Sequence, residues 1–216
     1  MSLLRMYSII GKRRAVAACV LLMPTFPAIA AIEGSVHDLS ARGLSGGEIC
    51  NVCHTPHNAD ISAEGPLWNH TISTAVYTVY NSPTMDVTAE QPSPGGLSRL
   101  CLSCHDGTIA LDSYGGSTSA GTTFIDPGAS LGTDLEDDHP IGIQWVHQTQ
   151  RNSQFCLNCH DALNLSAADA GKELRFYSGK VECPSCHDVH NSQVANTKLL
   201  RKTIEGSQLC LHCHPK

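Results

Sequence analysis

Five times in 216 residues, two cysteines three positions apart are followed at once by a histidine: Cys50-Asn-Val-Cys53-His54, Cys101-Leu-Ser-Cys104-His105, Cys156-Leu-Asn-Cys159-His160, Cys183-Pro-Ser-Cys186-His187 and Cys210-Leu-His-Cys213-His214. This pattern constrains the fold more than any other in the chain. Cys-x-x-Cys-His is the attachment signature of c-type haem. The thiols form thioethers to the porphyrin, and the adjoining histidine is the proximal iron ligand. Read this way, the five pairs hold five covalent haems, and His54, His105, His160, His187 and His214 each take one face of an iron. The reacting residues fall at i, i+3 and i+4, which one helical turn puts on a common face. Each motif is therefore expected on a short helix.

The motifs use 10 of the 11 cysteines, and the eleventh is Cys19. It lies in a segment that reads as a leader: Arg5, Lys12, Arg13 and Arg14, an apolar run from Ala15 to Met23, then Ala28-Ile29-Ala30. That order is a secretory signal peptide over residues 1–30, too short for a stable membrane span. Val16-Ala-Ala-Cys19 resembles a lipobox, but most of the apolar run follows Cys19, which argues against lipidation. The leader holds four of the 14 basic residues and none of the 20 acidic ones, so the mature chain has a formal charge of −10. Nucleic acid is excluded as a partner, because phosphate binding needs a basic face. Other redox proteins, or metal and mineral acceptors outside the cell, suit that charge better.

Aromatic residues make up 5% of the chain, too few for a substantial core by themselves. Five porphyrins would supply the missing apolar surface, so the apoprotein is expected to be largely unfolded and haem binding coupled to folding. The expected architecture is mostly irregular loop, with short α-helices, a few short strands and a core of stacked haems. Gln91-Pro-Ser-Pro-Gly-Gly96 and Tyr114-Gly-Gly-Ser-Thr-Ser-Ala-Gly121 read as loops. Residues 74–80 read as a strand, and Leu174 to Cys183 as a hairpin turning at Ser178-Gly179. The acidic run Asp134-Leu-Glu-Asp-Asp138 lacks the spaced oxygens of a calcium loop and reads as a solvated loop.

The sequence also repeats itself. Cys50-Asn-Val-Cys-His-Thr-Pro-His-Asn58 matches Cys183-Pro-Ser-Cys-His-Asp-Val-His-Asn191, and Leu97 to His105 matches Gly206 to His214. Spacing between first cysteines is 51 residues in the first pair and 27 in the second. One unit used twice explains this. The expected divisions are a leader at 1–30, a first haem-pair module at 31–112, a segment carrying the third motif at 113–170, and a second module at 171–216.

What occupies the far side of each iron decides the chemistry. Of 12 histidines five are proximal, which leaves His37, His57, His70, His139, His147, His190 and His212. Met85 is the one methionine beyond the leader, so at most one site could be Met/His. The supply favours five bis-histidine irons closed to substrate, with His37, His57, His70, His139 and His190 as distal ligands. His57 and His190 each follow a proximal histidine by three residues and cannot reach the far face of their own haem, so each must serve a neighbour. His147 and His212 read as solvated.

These elements, with Cys-His-Thr-Pro-His-Asn, Pro-Leu-Trp-Asn-His, Asp-His-Pro-Ile-Gly and Cys-Pro-Ser-Cys-His-Asp-Val-His among them, resemble the multihaem c-type cytochromes of metal-reducing bacteria with doubled Cys-x-x-Cys-His motifs. The resemblance covers residues 33–216. It implies single-electron transfer in a periplasmic, outer-membrane or extracellular respiratory chain, with no bond chemistry on an organic substrate. Some relatives polymerise into filaments, which adds self-assembly as a hypothesis. Two rival readings are a nitrite or hydroxylamine converting enzyme with one open haem site, and a structural zinc protein.

Overall fold

The computed structural model describes residues 32–83, 94–116, 121–144, 174–190 and 198–214, and the backbone alone of 159–161. The leader, Cys19, Met85, His147 and the start of the third motif, Cys156 to Asn158, lie outside the described residues.

Most of the described chain is loop, punctuated by short elements. They run β1 Thr78–Val79, α1 Gly96–His105, β2 Asp134–Leu135, β3 Ile143–Gln144, β4 Cys159–Asp161, β5 Leu174–Phe176, β6 Lys180–Val181, α2 Cys183–Cys186 and α3 Gln208–Leu211. The strands form three two-stranded patches: β1 beside β2 in parallel, β3 against β6 antiparallel, and β4 beside β5 in parallel. No described helix is long and apolar enough to cross a membrane.

Local chemistry explains the lengths. The strand expected over 74–80 contracts to Thr78–Val79, because side chains satisfy the backbone before it. Arg99 donates to the Ser73 carbonyl at 2.7 Å and the Ala75 carbonyl at 3.4 Å, and the Ala75 N–H donates to Ser73 Oγ at 3.2 Å. Those groups have no need of a strand partner. At 174–183 the expected turn is present. Tyr177 and Lys180 exchange backbone hydrogen bonds of 3.0 and 2.9 Å across Ser178 and Gly179, both at positive φ. That is the two-residue hairpin geometry glycine favours. The two arms then part, β5 pairing with β4 and β6 with β3.

The apolar core is small. Tyr77, Leu102 and Leu135 form its centre, with Ala75, Val79 and Ile141 packed against it. Leu135 thus anchors the acidic run to the core, while Asp134, Glu136 and Asp137 around it face solvent. Buried polar groups do much of the joining. Asp106, 4% exposed, accepts hydrogen bonds from Ser73 Oγ at 2.5 Å, Tyr77 Oη at 2.6 Å, Thr108 N at 2.7 Å and Thr108 Oγ1 at 2.8 Å. A second knot ties α1 to α2. The fully buried Ser98 donates its hydroxyl to Glu182, and its Oγ accepts from Cys183 N at 2.9 Å. Glu182 and Glu64 both approach Gly96 at the start of α1, and Glu182 accepts a further hydrogen bond from Ser98 N at 3.3 Å.

Candidate functional site

Four of the five motifs have the expected helical turn. Cys101 to His105 close α1. In the others the histidine N–H reaches the carbonyl of the first cysteine: His54 to Cys50 at 2.8 Å, His187 to Cys183 at 3.1 Å and His214 to Cys210 at 2.8 Å. Each turn puts two thiols and an imidazole on one face. Of the third motif only the backbone of Cys159 and His160 is described, in β4, paired in parallel with Leu174–Phe176.

Several of the described thiols are held above their ordinary range. Burial, then repulsion from Cys50, pushes Cys53 up to about 11; burial, then Cys53 and Asp106, pushes Cys104 up to about 12. Burial and then Cys186 push Cys213 up to about 11. Zinc needs thiolates, and among the described residues no three His, Cys, Asp or Glu groups converge as a metal cluster would require. The described motifs also lie near one another. Cys53 helps to raise Cys101 and Cys104, and Cys186 helps to raise Cys213. The helices of motifs two and four are tied directly, through Ser98 to Glu182 and Cys183 N.

Three proximal histidines are oriented in the same way. Nδ1 of His54 meets the Pro66 carbonyl at 2.8 Å, Nδ1 of His105 that of Ala129 at 2.8 Å, and Nδ1 of His187 that of Lys198 at 2.7 Å. A carbonyl on Nδ1 fixes the tautomer in which Nε2 carries the lone pair for a metal. These backbone acceptors left no trace in the sequence, since any residue can offer a carbonyl.

The repeat recurs in three dimensions. His54 bridges Trp68 and His187 bridges Leu200, both antiparallel. Thr55 N donates to the Leu67 carbonyl at 2.9 Å, and Asp188 N to that of Leu199 at 2.7 Å. Leu67 and Leu199 share a left-handed backbone, at φ 55° and 54°. Motifs one and four are built to one plan.

Of the residues expected as distal ligands, three face a proximal imidazole. Ring centroids of His37 and His105 are 5.9 Å apart, those of His54 and His190 5.9 Å, and those of His139 and His214 6.3 Å. Burial, then repulsion from His105 and His187, lowers His37 to about 4, leaving it neutral as a metal ligand must be. His139 turns Nδ1 to the Pro140 carbonyl at 3.0 Å. His57 is exposed and is stacked on no other described imidazole. His70 is buried at 2% exposure, with Nδ1 2.9 Å from the Thr71 carbonyl, Nε2 3.1 Å from the Ala110 carbonyl and Nε2 3.6 Å from Cys104 Sγ. It sits beside the second motif, and its Nε2 is turned to the backbone. Burial, partly offset by these carbonyls, lowers its pKa. His212 reads as solvated in the sequence, yet its Nε2 is buried.

These residues fit haem. Two imidazoles binding one metal from opposite sides, at a metal–nitrogen distance of roughly 2 Å, place their centroids roughly 6 Å apart. The three ring pairs have that separation. Exposed apolar side chains also flank them: Val36 beside His37, Leu67 beside His54, Leu131 beside His105 and Leu211 beside His214.

Residues 177–216 match the doubled CXXCH motif family. That stretch holds motifs four and five and is c-type cytochrome-like, with covalent haem attachment and electron transfer as its implied role. No curated protein matches the chain.

Proposed function

We propose that the chain is an exported pentahaem c-type cytochrome that passes single electrons along closely spaced bis-histidine haems. The observation that carries this reading is the set of three proximal histidines that each face a second imidazole, in a chain whose motifs two and four are tied together through Ser98 and Glu182. Haem supplies the reversible one-electron couple. The chain's own residues do the rest: the cysteine pairs tether, the Nδ1 carbonyl bonds orient, and the histidine partners exclude exogenous ligands. Proximity is what makes a conductor, and Ser98 of α1, bonded to Glu182 and to Cys183 N, holds motifs two and four together across the repeat. The rest of the reading comprises two haem-pair modules at 31–112 and 171–216, distal roles for His37, His57, His70, His139 and His190, and redox proteins or extracellular acceptors as partners.

The alternative is an oxidoreductase of the nitrite or hydroxylamine converting type with one open haem site. Spectroelectrochemical titration decides between the two. Uptake of five electrons per chain, with low-spin spectra and no cyanide binding, is the expected result. A high-spin haem that binds cyanide in the folded protein would transfer the reading to an oxidoreductase. Self-assembly is a separate matter for electron micrographs, where monodisperse particles at all concentrations would exclude filaments.

A further inference from the structure

We infer that axial ligation crosses the duplicated motifs: His190 of the second pair shares an iron with His54 of the first, while His37 pairs with His105 and His139 with His214. The inference rests on the haem reading above and specifies its wiring.

Centroid separations of 5.9, 5.9 and 6.3 Å recur in three unrelated sequence settings, with interplanar angles of 30°, 51° and 66°. Trp68 also lies 6.4 Å from His54 and from His70, so distance alone does not single out a shared metal; exposed rings such as His190 and His139 gain little from ring packing, yet each faces a proximal imidazole. A shared metal imposes the distance and leaves the rotation about the common axis free. The anchors agree: Nδ1 of His54, His105 and His139 each meet a carbonyl. Nε2 of each is therefore the atom left to face its partner.

The chain also explains why His190 is presented while its repeat counterpart His57 is not. His190 N donates to Asp188 Oδ1 at 3.1 Å, and Asp188 Oδ2 is held by Arg201 at 2.8 Å in a largely buried ion pair. Arg201 is fixed in turn by the Pro184 carbonyl at 2.8 Å and Tyr177 Oη at 3.3 Å. In the first unit the position of Asp188 is taken by Thr55, whose Oγ1 is 3.4 Å from His57 N, and the position of Arg201 by Asn69. The duplicated unit has kept the turn and lost the clamp. Arg201 is accordingly a positioning residue for the iron of motif one, although it lies in the second unit. Neither haem-pair unit closes all its irons alone.

The test counts low-spin haems by EPR in the full haem-loaded chain. His190→Gly and His54→Gly should each lose one low-spin haem, and the double variant should lose only one. This holds whether or not His54→Gly still attaches its haem. A loss of two in the double variant overturns the pairing. The same cycle applies to His37 with His105 and to His139 with His214. His190→Met supplies a readout that keeps the iron six-coordinate, and should raise the potential of one haem; an unchanged set of potentials would contradict the assignment. Arg201→Ala should convert part of that same haem to high spin, with no further loss when combined with His190→Gly. A wild-type chain lacking low-spin haem altogether would sink the haem reading itself, which separates the two failures.

Discussion

Asp106 follows the proximal histidine of the second motif and holds the 73–77 loop against α1. Burial pushes its carboxyl up, but hydrogen bonds from Ser73, Tyr77 and Thr108 outweigh that and hold it below the usual value. Asp106→Ala would strip the acceptor from two hydroxyls, on Ser73 at 1% exposure and Tyr77 at 3%. Each buried donor left without a partner costs about 1–3 kcal/mol. Ser73 Oγ lies 3.2 Å from Tyr77 Oη and 3.1 Å from Thr108 Oγ1, so the hydroxyls can partly satisfy one another. The Thr108 groups lie nearer solvent and rehydrate. The net loss should be about 3 kcal/mol, within a range of about 2–5. For a chain of this size that is a fall of about 6–12 °C in Tm. Tyr77→Phe removes one donor and leaves Asp106 three others, so it should cost about 1 kcal/mol. Thermal unfolding of the haem-loaded single and double variants gives the coupling between the two residues, expected at about 1.5–3 kcal/mol. Additivity within about 0.5 kcal/mol would refute the view that the network acts as a unit.

Other consequences can be measured on the same preparation. Arg201→Ala leaves Asp188 charged and largely buried, so it should cost about 3–5 kcal/mol in denaturant unfolding, with only partial rescue by lysine. Burial, despite hydrogen bonds from Ser98, raises the pKa of Glu182, so its protonated form suits the fold. Its contribution is full below the ordinary glutamate range and lost as pH rises through the raised value. Glu182→Gln should therefore unfold no earlier than wild type at neutral pH, whereas Glu182→Ala, which orphans Ser98, should unfold earlier; equal losses for both would contradict this. Chain made without haem attachment should show little amide protection and a disordered far-ultraviolet spectrum, because so small a core cannot hold the loops. A cooperative thermal transition in that apoprotein would refute the coupling.

Local geometry was legible in the sequence wherever it depended on nearby residues. The motif turns follow from i, i+3, i+4 spacing, and the Ser178-Gly179 turn from the preference for positive φ. The repeat of Cys50 to Asn58 in Cys183 to Asn191 pointed to a common construction, and the left-handed Leu67 and Leu199 share it. Long-range features were not legible. Ser98 and Glu182 are 84 positions apart, and nothing in either neighbourhood announces the other. The sequence offered histidine as the ligand type of the proposed haems but left the partners open, because pairing depends on how the loops close. His70 illustrates this: its ring nitrogens lie toward the Thr71 and Ala110 carbonyls, and nothing near it in the sequence announces the second of these. The pairing of Cys159–Asp161 with Leu174–Phe176 is another long-range feature that neither segment announces.

The central claim is five covalent haems on one chain, and intact-mass measurement under denaturing conditions tests it most directly. Thioether-bound haem survives unfolding, so the account predicts a single species heavier than the polypeptide by five haem groups. A chain carrying only the two haems of the matched C-terminal pair, or none, would contradict it.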